Sequence, residues 1–533
     1  MATRIINPVL QGFYPDASIC CKKERFYLTA ASYTLFPALP LFKSKDGVKW
    51  KQIGNILNQS NYKDISETGP IKAPVIRFSE GVFYCIFSNA DSSRIFITSA
   101  IESESNWSAP IEIKTEQNFY PSLFFDENET CWYCAVKKSP ENQDSEDFIS
   151  EIFVQKFNTD TFKFTGESKT ILKFSSQIVE SPHIYKIDGK YFLLYSKGQN
   201  ILEKEVWLAV SDKLTDDWKS GTEPFFTHSH LGANAKITGT CGAEFFCNND
   251  KFWWMTCNAT RPLNAKKKFC TMGNETFMVP VKWENGMPVP SFETKTIEQA
   301  FSFTGHVVKR NNEDADSVEF PVIDDFNTNE LDNFWISLKS RNPEYINCSE
   351  NIGNLRMYGG APLSNINSNN IISFVGRRQT AFSFEASTRL ECYFSSVGDK
   401  AGICCFQSEA YNYMLQIINK GMVISLQLIK TENGKETLLA EEIMTGGTSH
   451  CTLTIRVVCE KQNLRFEYGA DERNMFLFAD NISTNVLSSE NTQYESGTII
   501  GMFAISGGDY TKKDFYVDFD WFKYQNTAKL WTD

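Results

Sequence analysis

A short aromatic β-run that recurs five times is the feature that most constrains how this 533-residue chain can fold. The copies follow one another at intervals of roughly 50–60 residues, and most come directly after a turn signal. The five runs read RFYL at 25–28, VFYC at 82–85, CWYC at 131–134, KYFL at 190–193 and KFWW at 251–254. Several strands per unit, repeated five times, predict a five-bladed β-propeller.

A second, shorter strand precedes each aromatic run. These strands read DASI at 16–19, APVI at 73–76, YPSL at 120–123, SPHI at 181–184 and GAEF at 242–245. A third strand often follows, as in PLFKS at 40–44. The first strand of each propeller blade lines the central channel, so residues that open these strands converge at one mouth. We therefore expect Asp16 and Glu180 to meet there.

The second half of the chain has a different strand pattern. Alternating strands such as FSFEAS at 382–387, YMLQI at 413–417 and LRFEY at 464–468 indicate an antiparallel β-sandwich. A polar segment at 310–316 is typical of a linker. The predicted fold class is therefore all-β: a propeller at 1–305, a linker at 306–321 and a concanavalin-A-like sandwich at 322–533.

Composition excludes several classes of partner. The net charge is −12 and no Lys/Arg stripe is present, which argues against a nucleic-acid partner. No apolar run approaches the ~18–20 residues of a membrane span. The 15 cysteines are odd in number and no signal peptide is evident, so reduced thiols and a cytoplasmic location are expected. The sequence does not indicate an oligomeric state.

No metal site is predicted from the cysteines or histidines. Cys131 and Cys134 are three apart on a strand, and such residues point to opposite faces. His228 and His230 lie in a loop without obvious partner ligands. His183 belongs to a predicted inner strand, where a structural role is the expected one.

Carboxylates at the channel mouth indicate one particular chemistry. Hydrolysis of a glycosidic bond needs a proton donor for the leaving oxygen and a carboxylate that activates water or attacks carbon. Channel-facing Asp and Glu side chains from different blades would supply both groups. An Asp at the start of a strand is also a common structural feature, so the residues alone leave both interpretations open.

Several motifs resemble the β-xylosidases of glycoside hydrolase family 43. The segment NPVLQGFYPDAS at 7–18 resembles the family's opening motif, and VESPHIYK at 179–186 resembles its acid segment. TRPL at 260–263 and GNETF at 273–277 are similar to the family's last blade. In the second half, GRRQ at 376–379, FEA at 384–386 and DFDWF at 518–522 resemble the appended sandwich. The likeness covers nearly the whole chain in the right order.

This resemblance implies an inverting glycosidase that removes terminal β-xylosyl or α-arabinofuranosyl residues from oligosaccharides. Asp16 would be the general base and Glu180 the general acid, with the two carboxyls about 6.5–9.5 Å apart. Tyr33 and Phe36 would be aromatic walls of the sugar pocket, or else ordinary blade core. Arg261 would hold sugar hydroxyls, or else form a surface ion pair.

Three positions depart from the family pattern. The family's third carboxylate, which raises the pKa of the acid, is replaced by Tyr120, and a neutral tyrosine cannot do this by charge repulsion. The family's Trp before Ala-Pro in the second blade is Lys72. The channel-centre His, often near a bound calcium, aligns with Gly242, so neither calcium nor any other cofactor is predicted. Glu244 lies on the same strand face as Gly242.

These departures leave three hypotheses open. The first is the glycosidase described above, supported by Asp16, Glu180 and Arg261 together. The second is a carbohydrate-binding pseudoenzyme with little or no turnover, supported by Tyr120, Lys72 and Gly242. The third is an interaction scaffold, which the propeller fold permits but which does not explain the two carboxylate motifs.

Overall fold

The computed structural model describes most of the chain in continuous segments. These are residues 3–62, 69–89, 94–101, 105–116, 118–138, 148–199, 203–247, 252–263, 269–290, 295–303, 320–366, 370–444, 449–492 and 496–528. Their regular structure is almost entirely β, as predicted. The described helices are three 3-10 turns and one short α-helix: Ser229–Asn234, Thr484–Leu487, Tyr510–Lys512 and Ser489–Thr492. None of these is long and apolar enough to cross a membrane.

Five four-stranded antiparallel sheets form the blades of a propeller. In each blade the strands follow one another in chain order, starting with the innermost. Blade 1 comprises Ser18–Lys22, Arg25–Thr29, Ala38–Ser44 and Lys51–Leu57, and blade 2 Ile71–Ser79, Val82–Asn89, Ile95–Ile101 and Ile111–Ile113. Blade 3 comprises Phe119–Phe125, Cys131–Lys138, Ile149–Asn158 and Lys163–Ser175. Blade 4 comprises Val179–Ile187, Lys190–Lys197, Glu205–Ser211 and Lys219–Ser220, and blade 5 Thr238–Cys247, Trp253–Thr260, Glu275–Glu284 and Met287–Pro290.

The inner strands form a closed ring. Each one contacts the inner strand of the next blade, and the inner strand of blade 5 contacts that of blade 1. Outside the blades, Thr3–Ile6 pairs with Ala300–Phe303 and joins the two ends of this half of the chain. The predicted first and second strands are thus confirmed in every blade.

One residue near the start of every inner strand has a left-handed backbone, with φ between 47° and 58°. These residues are Asp16, Ala73, Tyr120, Ser181 and Gly242. In blades 2 to 5 a register shift with the second strand accompanies this residue. Such bulges re-aim side chains and are frequent beside active sites. The repeat therefore places equivalent residues from all five blades at one mouth.

Two antiparallel sheets form the sandwich. The larger sheet contains, in spatial order, Ile346–Asn347, Leu355–Tyr358, Tyr516–Asn526, Phe384–Tyr393, His450–Glu460, Asn463–Gly469 and Met475–Ser483, with Ile323–Asp324 beside Tyr516–Asn526. The smaller sheet contains Ser373–Arg378, Ile499–Ile505, Lys400–Ser408, Tyr411–Asn419, Ile424–Glu432 and Lys435–Met444. Buried residues of both sheets form one core, as the alternating pattern predicts.

The two domains are in extensive contact. Leu35–Phe36 of the propeller pairs with Ser337–Leu338 of the sandwich. The Arg378 guanidinium donates from Nε to the carbonyl of Phe13 at 2.8 Å. Most of the predicted linker at 306–321 lies outside the described residues.

Candidate active site

Asp16 is fixed at the mouth by contacts to two other blades. Its Oδ2 accepts a hydrogen bond from the backbone N–H of Ala73 at 3.2 Å, and its Oδ1 accepts one from Nδ2 of Asn258 at 2.8 Å. The Asn258 amide oxygen in turn accepts from the backbone N–H of Asp16 at 2.9 Å. Blades 1, 2 and 5 therefore hold this carboxylate in one orientation.

Gly242 gives Asn258 the space to make these bonds. A Cβ on Gly242 would come within 2.9 Å of Asn258 Nδ2, and the glycine's φ of +58° is one that side-chain-bearing residues rarely adopt. The glycine at position 242, where the family has histidine, thus leaves room for the Asn258 amide that holds Asp16. Asn258 was not predicted as a site residue.

Glu180 lies between two hydrogen-bond donors. The Tyr120 hydroxyl donates to Oε1 at 2.7 Å, and Nζ of Lys204 lies 2.8 Å from Oε2. The side chains of Lys204 and Glu180 are only 12% and 14% exposed. An ammonium has three donors and no acceptor, so this geometry matches an ionised Glu180 carboxylate.

Strand register explains how Lys204 reaches the mouth. Val179 lies opposite Lys197, and Lys197 lies opposite Glu205. The second strand of blade 4 therefore ends, and the third begins, at the same end of the blade as Glu180. Lys204, the last residue before the third strand, was missed in the sequence, where it stands among ordinary polar residues.

Two other acidic residues serve different purposes. Asp126 accepts backbone hydrogen bonds from Asn128 and Thr130 and so stabilises a turn. Glu244 is 1% exposed and pairs with Arg77. Neither forms a hydrogen bond or ion pair with Glu180, whose partners among the described residues are a hydroxyl and an ammonium.

The Arg77 guanidinium occupies the channel below the mouth. The guanidinium forms an ion pair with Glu244 and donates from Nε to the carbonyl of Leu123 at 2.9 Å. Its Nη1 lies 3.3 Å from Ser18 Oγ. Burial works against the charged form of Arg77, but Glu244 outweighs it and the pKa of the guanidinium stands above its usual range. Blades 1, 2, 3 and 5 are connected through this one side chain.

This donor set does not fit calcium. Calcium takes six to eight oxygen ligands, whereas Glu244 already pairs with a guanidinium and His183 offers a ring nitrogen. Burial lowers the pKa of His183 to about 4, so its imidazole is neutral near pH 7. No group of three His, Cys, Asp or Glu side chains in the described segments could hold a metal ion. The cation at this position is Arg77 itself.

We expect Arg77→Met to lower the free energy of unfolding by about 3–5 kcal/mol, because it leaves the buried Glu244 carboxylate without its partner. Thermal and urea unfolding would measure this loss. Arg389→Met is the matched control, since Arg389 forms an exposed pair with Asp520 and should change stability little. Unchanged stability in Arg77→Met, or a parent protein stabilised by added calcium, would contradict this account of the channel.

The two predicted aromatic walls have different positions. Tyr33 lines a cavity of about 700 Å³ between the domains, together with Lys72 of the propeller and Gln407 and Glu409 of the sandwich. Nζ of Lys72 lies 4.5 Å from the centre of the Tyr33 ring. Phe36, in contrast, is 0% exposed within a blade core. The Phe36 ring therefore offers no accessible surface to a sugar and lies where the core interpretation expects it.

Arg261 forms a buried pair rather than a surface one. Its Nε and Nη2 lie 2.6 and 2.9 Å from the two carboxylate oxygens of Glu275, and the side chains are 2% and 0% exposed. Glu275 also accepts from the backbone N–H of Gly12 at 2.8 Å. The pair thus connects blade 5 to the segment that carries Asp16.

Comparison with known proteins agrees with this architecture. The sequence profile "Glycosyl hydrolases family 43" matches residues 5–288, more than half of the chain. The chain belongs to this family. A second profile, "Beta xylosidase C-terminal Concanavalin A-like domain", matches residues 323–525. This member of family 43 is therefore an O-glycosyl hydrolase by descent, with the two-domain organisation of the β-xylosidases.

The similarity to named relatives and to a solved structure covers nearly the full length of this chain. The "Xylosidase/arabinosidase" of Butyrivibrio fibrisolvens is 30% identical over 97% of this chain and 98% of its own. The "Non-reducing end alpha-L-arabinofuranosidase BoGH43B" of Bacteroides ovatus is 27% identical over 97% of this chain and 94% of its own. The crystal structure of a xylan beta-1,4-xylosidase from Bacillus halodurans shares the fold, with a TM-score of 0.86, 23% identity, and coverage of 98% of this chain and all of that one.

Proposed function

We propose that this family 43 protein hydrolyses terminal β-xylosyl or α-arabinofuranosyl residues of oligosaccharides with inversion of configuration. The observation that carries this proposal is that Tyr120, which donates to Glu180, lines the same cavity as Asp16. Asp16 lines the central cavity together with Ser181, the neighbour of Glu180, and with Tyr120. The names of the relatives include both xylosidase and arabinofuranosidase activities, which supports this pair of substrates.

Asp16 acts as the general base. Its carboxylate is oriented by the Asn258 amide and the Ala73 backbone N–H, so it needs no rearrangement when it accepts a proton from water. Water then attacks the anomeric carbon from the face opposite to the leaving group. A separation of about 6.5–9.5 Å between the two carboxyls leaves room for this water.

Glu180 acts as the general acid and protonates the leaving oxygen. The proton must be on Glu180 when the glycosidic bond breaks, whereas the pair with Lys204 matches the ionised carboxylate. Protonation of Glu180 removes its charge attraction to Lys204, so the pair is weaker in the state that donates the proton. Substrate binding in the neighbouring pocket is the step that we expect to separate the pair.

The pocket between the domains receives the sugar. Tyr33 offers a half-buried ring to a sugar face, and Lys72 offers an ammonium to sugar hydroxyls. The side chains of Gln407 and Glu409 from the sandwich close the other side. Arg261 acts through Glu275 and Gly12, and supports the Asp16 segment rather than the sugar directly.

A catalytically impaired carbohydrate-binding protein is the second candidate. The observation that favours it is the pair of donors on Glu180, because neither Tyr120 nor Lys204 supplies the negative charge that helps a carboxyl keep its proton. In this case the pocket binds a sugar that the protein turns over slowly or not at all.

Assays on an aryl β-xyloside and an aryl α-arabinofuranoside across pH test the proposal. We expect hydrolysis of at least one substrate by the parent protein and a lower rate with Glu180→Ala, the more so the poorer the aryl leaving group. An inert parent with an active Tyr120→Asp variant would instead establish the impaired protein, and binding of xylose-containing oligosaccharides would then be measured. If all three proteins are inert on both substrates, the proposed substrates are wrong.

We further propose that hydrolysis requires no divalent cation, since Arg77 takes the central position. A cytoplasmic location is also proposed, and the fifteen cysteines, none of which forms a disulfide in the described segments, support a reducing environment. Burial raises the pKa of most of these thiols, including Cys85, Cys134 and Cys257, which makes them unreactive.

A further inference from the structure

A second cavity between the domains is separate from the sugar pocket. Its volume is about 490 Å³, within the usual range for small-molecule sites, and it shares no lining residue with the cavity that contains Tyr33. Gln11 and Tyr14 of the propeller form one side, and the sandwich forms the other. Two consecutive arginines, Arg377 and Arg378, line it.

Both guanidiniums are buried and their direct contacts are neutral groups, although the Asp324 carboxylate acts on Arg377 from beyond ion-pair distance. Arg377 is 6% exposed, donates to the carbonyl of Pro321 at 2.7 Å, and lies 4.9 Å from the ring centre of Phe334. Arg378 is 5% exposed and lies 4.3 Å from the ring centre of Tyr14. Carbonyl dipoles and ring faces offset part of the cost of burying these charges, but none of them carries a full negative charge.

Arg377 and Arg378 lack a carboxylate partner in the described segments and line a cavity, whereas Arg341, which also lacks one there, donates to the Trp335 carbonyl and to Ser337 Oγ and does not line this cavity. Arg77, Arg261 and Arg356 each pair with an Asp or Glu side chain. Within the described part of the chain, neither Arg377 nor Arg378 forms an ion pair. Burial accordingly lowers the pKa of Arg377 to about 10 and lowers that of Arg378 as well.

One buried N–H donor of Arg378 has no hydrogen-bond acceptor among the described residues. Nη2 of Arg378 is enclosed and donates to no carbonyl, hydroxyl or carboxylate oxygen of these residues. A buried donor without an acceptor is costly and rare in folded proteins. Around the opening, the side chains of Gln11, Thr380, Gln525 and Asn526 offer further polar groups beside the Tyr524 ring.

We propose that this cavity binds a small organic anion, namely a sugar-sized molecule that carries a carboxylate or phosphate group. Its oxyanion supplies the negative charge that Arg377 and Arg378 lack, and guanidinium groups suit both carboxylate and phosphate geometry. Its body lies against the Tyr524 and Phe334 rings, and the amides at the opening hydrogen-bond its hydroxyls. The site is distinct from the one where the glycosidic bond is broken.

Calorimetric titration of the full chain tests this proposal without any glycoside substrate, so the outcome is independent of hydrolysis. The probes are sodium glucuronate, glucose 6-phosphate and glucose, at one fixed ionic strength. We expect saturable one-site binding of glucuronate or glucose 6-phosphate and none of glucose. The first two probes distinguish a carboxylate ligand from a phosphate ligand.

Two variants locate the binding. Arg377→Gln should weaken it about tenfold or more, because it removes one of the two charges. Gln525→Glu, at the opening, should also weaken it by charge repulsion without disturbing the buried arginines. Arg389→Gln, which changes an exposed arginine of the same domain, should bind as the parent does. Failure of the parent to bind either anion, or unchanged binding in Gln525→Glu, would overturn the proposal even if Arg377→Gln does not fold.

Discussion

Glu180→Gln should lower kcat/KM on a xyloside with a poor leaving group by about 10²–10⁴-fold, the usual contribution of a general acid. Glutamine keeps the shape of the side chain and its contact with the Tyr120 hydroxyl, but it cannot donate the carboxyl proton. The loss should be much smaller on a xyloside with an activated leaving group such as dinitrophenol, because a good leaving group departs without protonation. Steady-state kinetics on the two substrates measure this difference.

Asp16→Asn and Glu127→Gln are the matched comparisons for this experiment. Asp16→Asn should lower the rate similarly on both substrates, since the activation of water is needed whichever group departs. Glu127→Gln should have no effect, because Glu127 forms an exposed pair with Lys186. An equal loss for both leaving groups in Glu180→Gln would contradict the role of Glu180 as the acid.

Lys204→Met should extend the activity toward higher pH. A general acid must be protonated, so activity falls as pH rises through the acid's titration. An ammonium beside a carboxyl favours its charged form, and its removal favours the protonated form. Because Lys204 lies 2.8 Å from the Glu180 carboxylate, we expect Lys204→Met to keep its kcat/KM to higher pH than the parent protein does.

The pH profile distinguishes an effect of Lys204 on the protonation of Glu180 from a role of Lys204 in sugar binding. If Lys204 instead holds the substrate, Lys204→Met raises KM and leaves the pH dependence of kcat/KM unchanged, which would contradict the prediction. Lys213→Met is the control in the same blade, because Lys213 forms an exposed pair with Asp217. Tyr120→Phe removes the other donor and should change the pH dependence in the same direction by a smaller amount.

The strands that could be predicted are those with a buried face. The first and second strands of each blade carry aromatic and β-branched residues that pack between blades, so their pattern repeats in the sequence. The outer strand Lys163–Ser175 is mostly exposed and shows no apolar alternation, which is why it was not predicted. The same holds for the two-residue strand Lys219–Ser220.

The site could be predicted only where a motif marks it. Asp16 and Glu180 open recognisable segments, and the repeat alone predicts that they share a mouth. Lys204, at the end of a loop, contacts Glu180, and Asn258, on a second strand, contacts Asp16. The sequence around each of them does not distinguish it from other polar residues. Arg77 stands in an apolar strand, and its role depends on Glu244, which comes from a blade far along the chain.

The stereochemistry of the first-formed product tests the central claim most directly. Proton NMR would follow the parent protein with an aryl β-xyloside, or with an aryl α-arabinofuranoside if that is the faster substrate. We predict that α-xylose, or β-arabinofuranose, appears first and then mutarotates, because water activated by Asp16 attacks the face opposite to the leaving group. A first product with retained configuration, or no hydrolysis of either substrate at any pH, would contradict the account of Asp16 and Glu180 as an inverting pair.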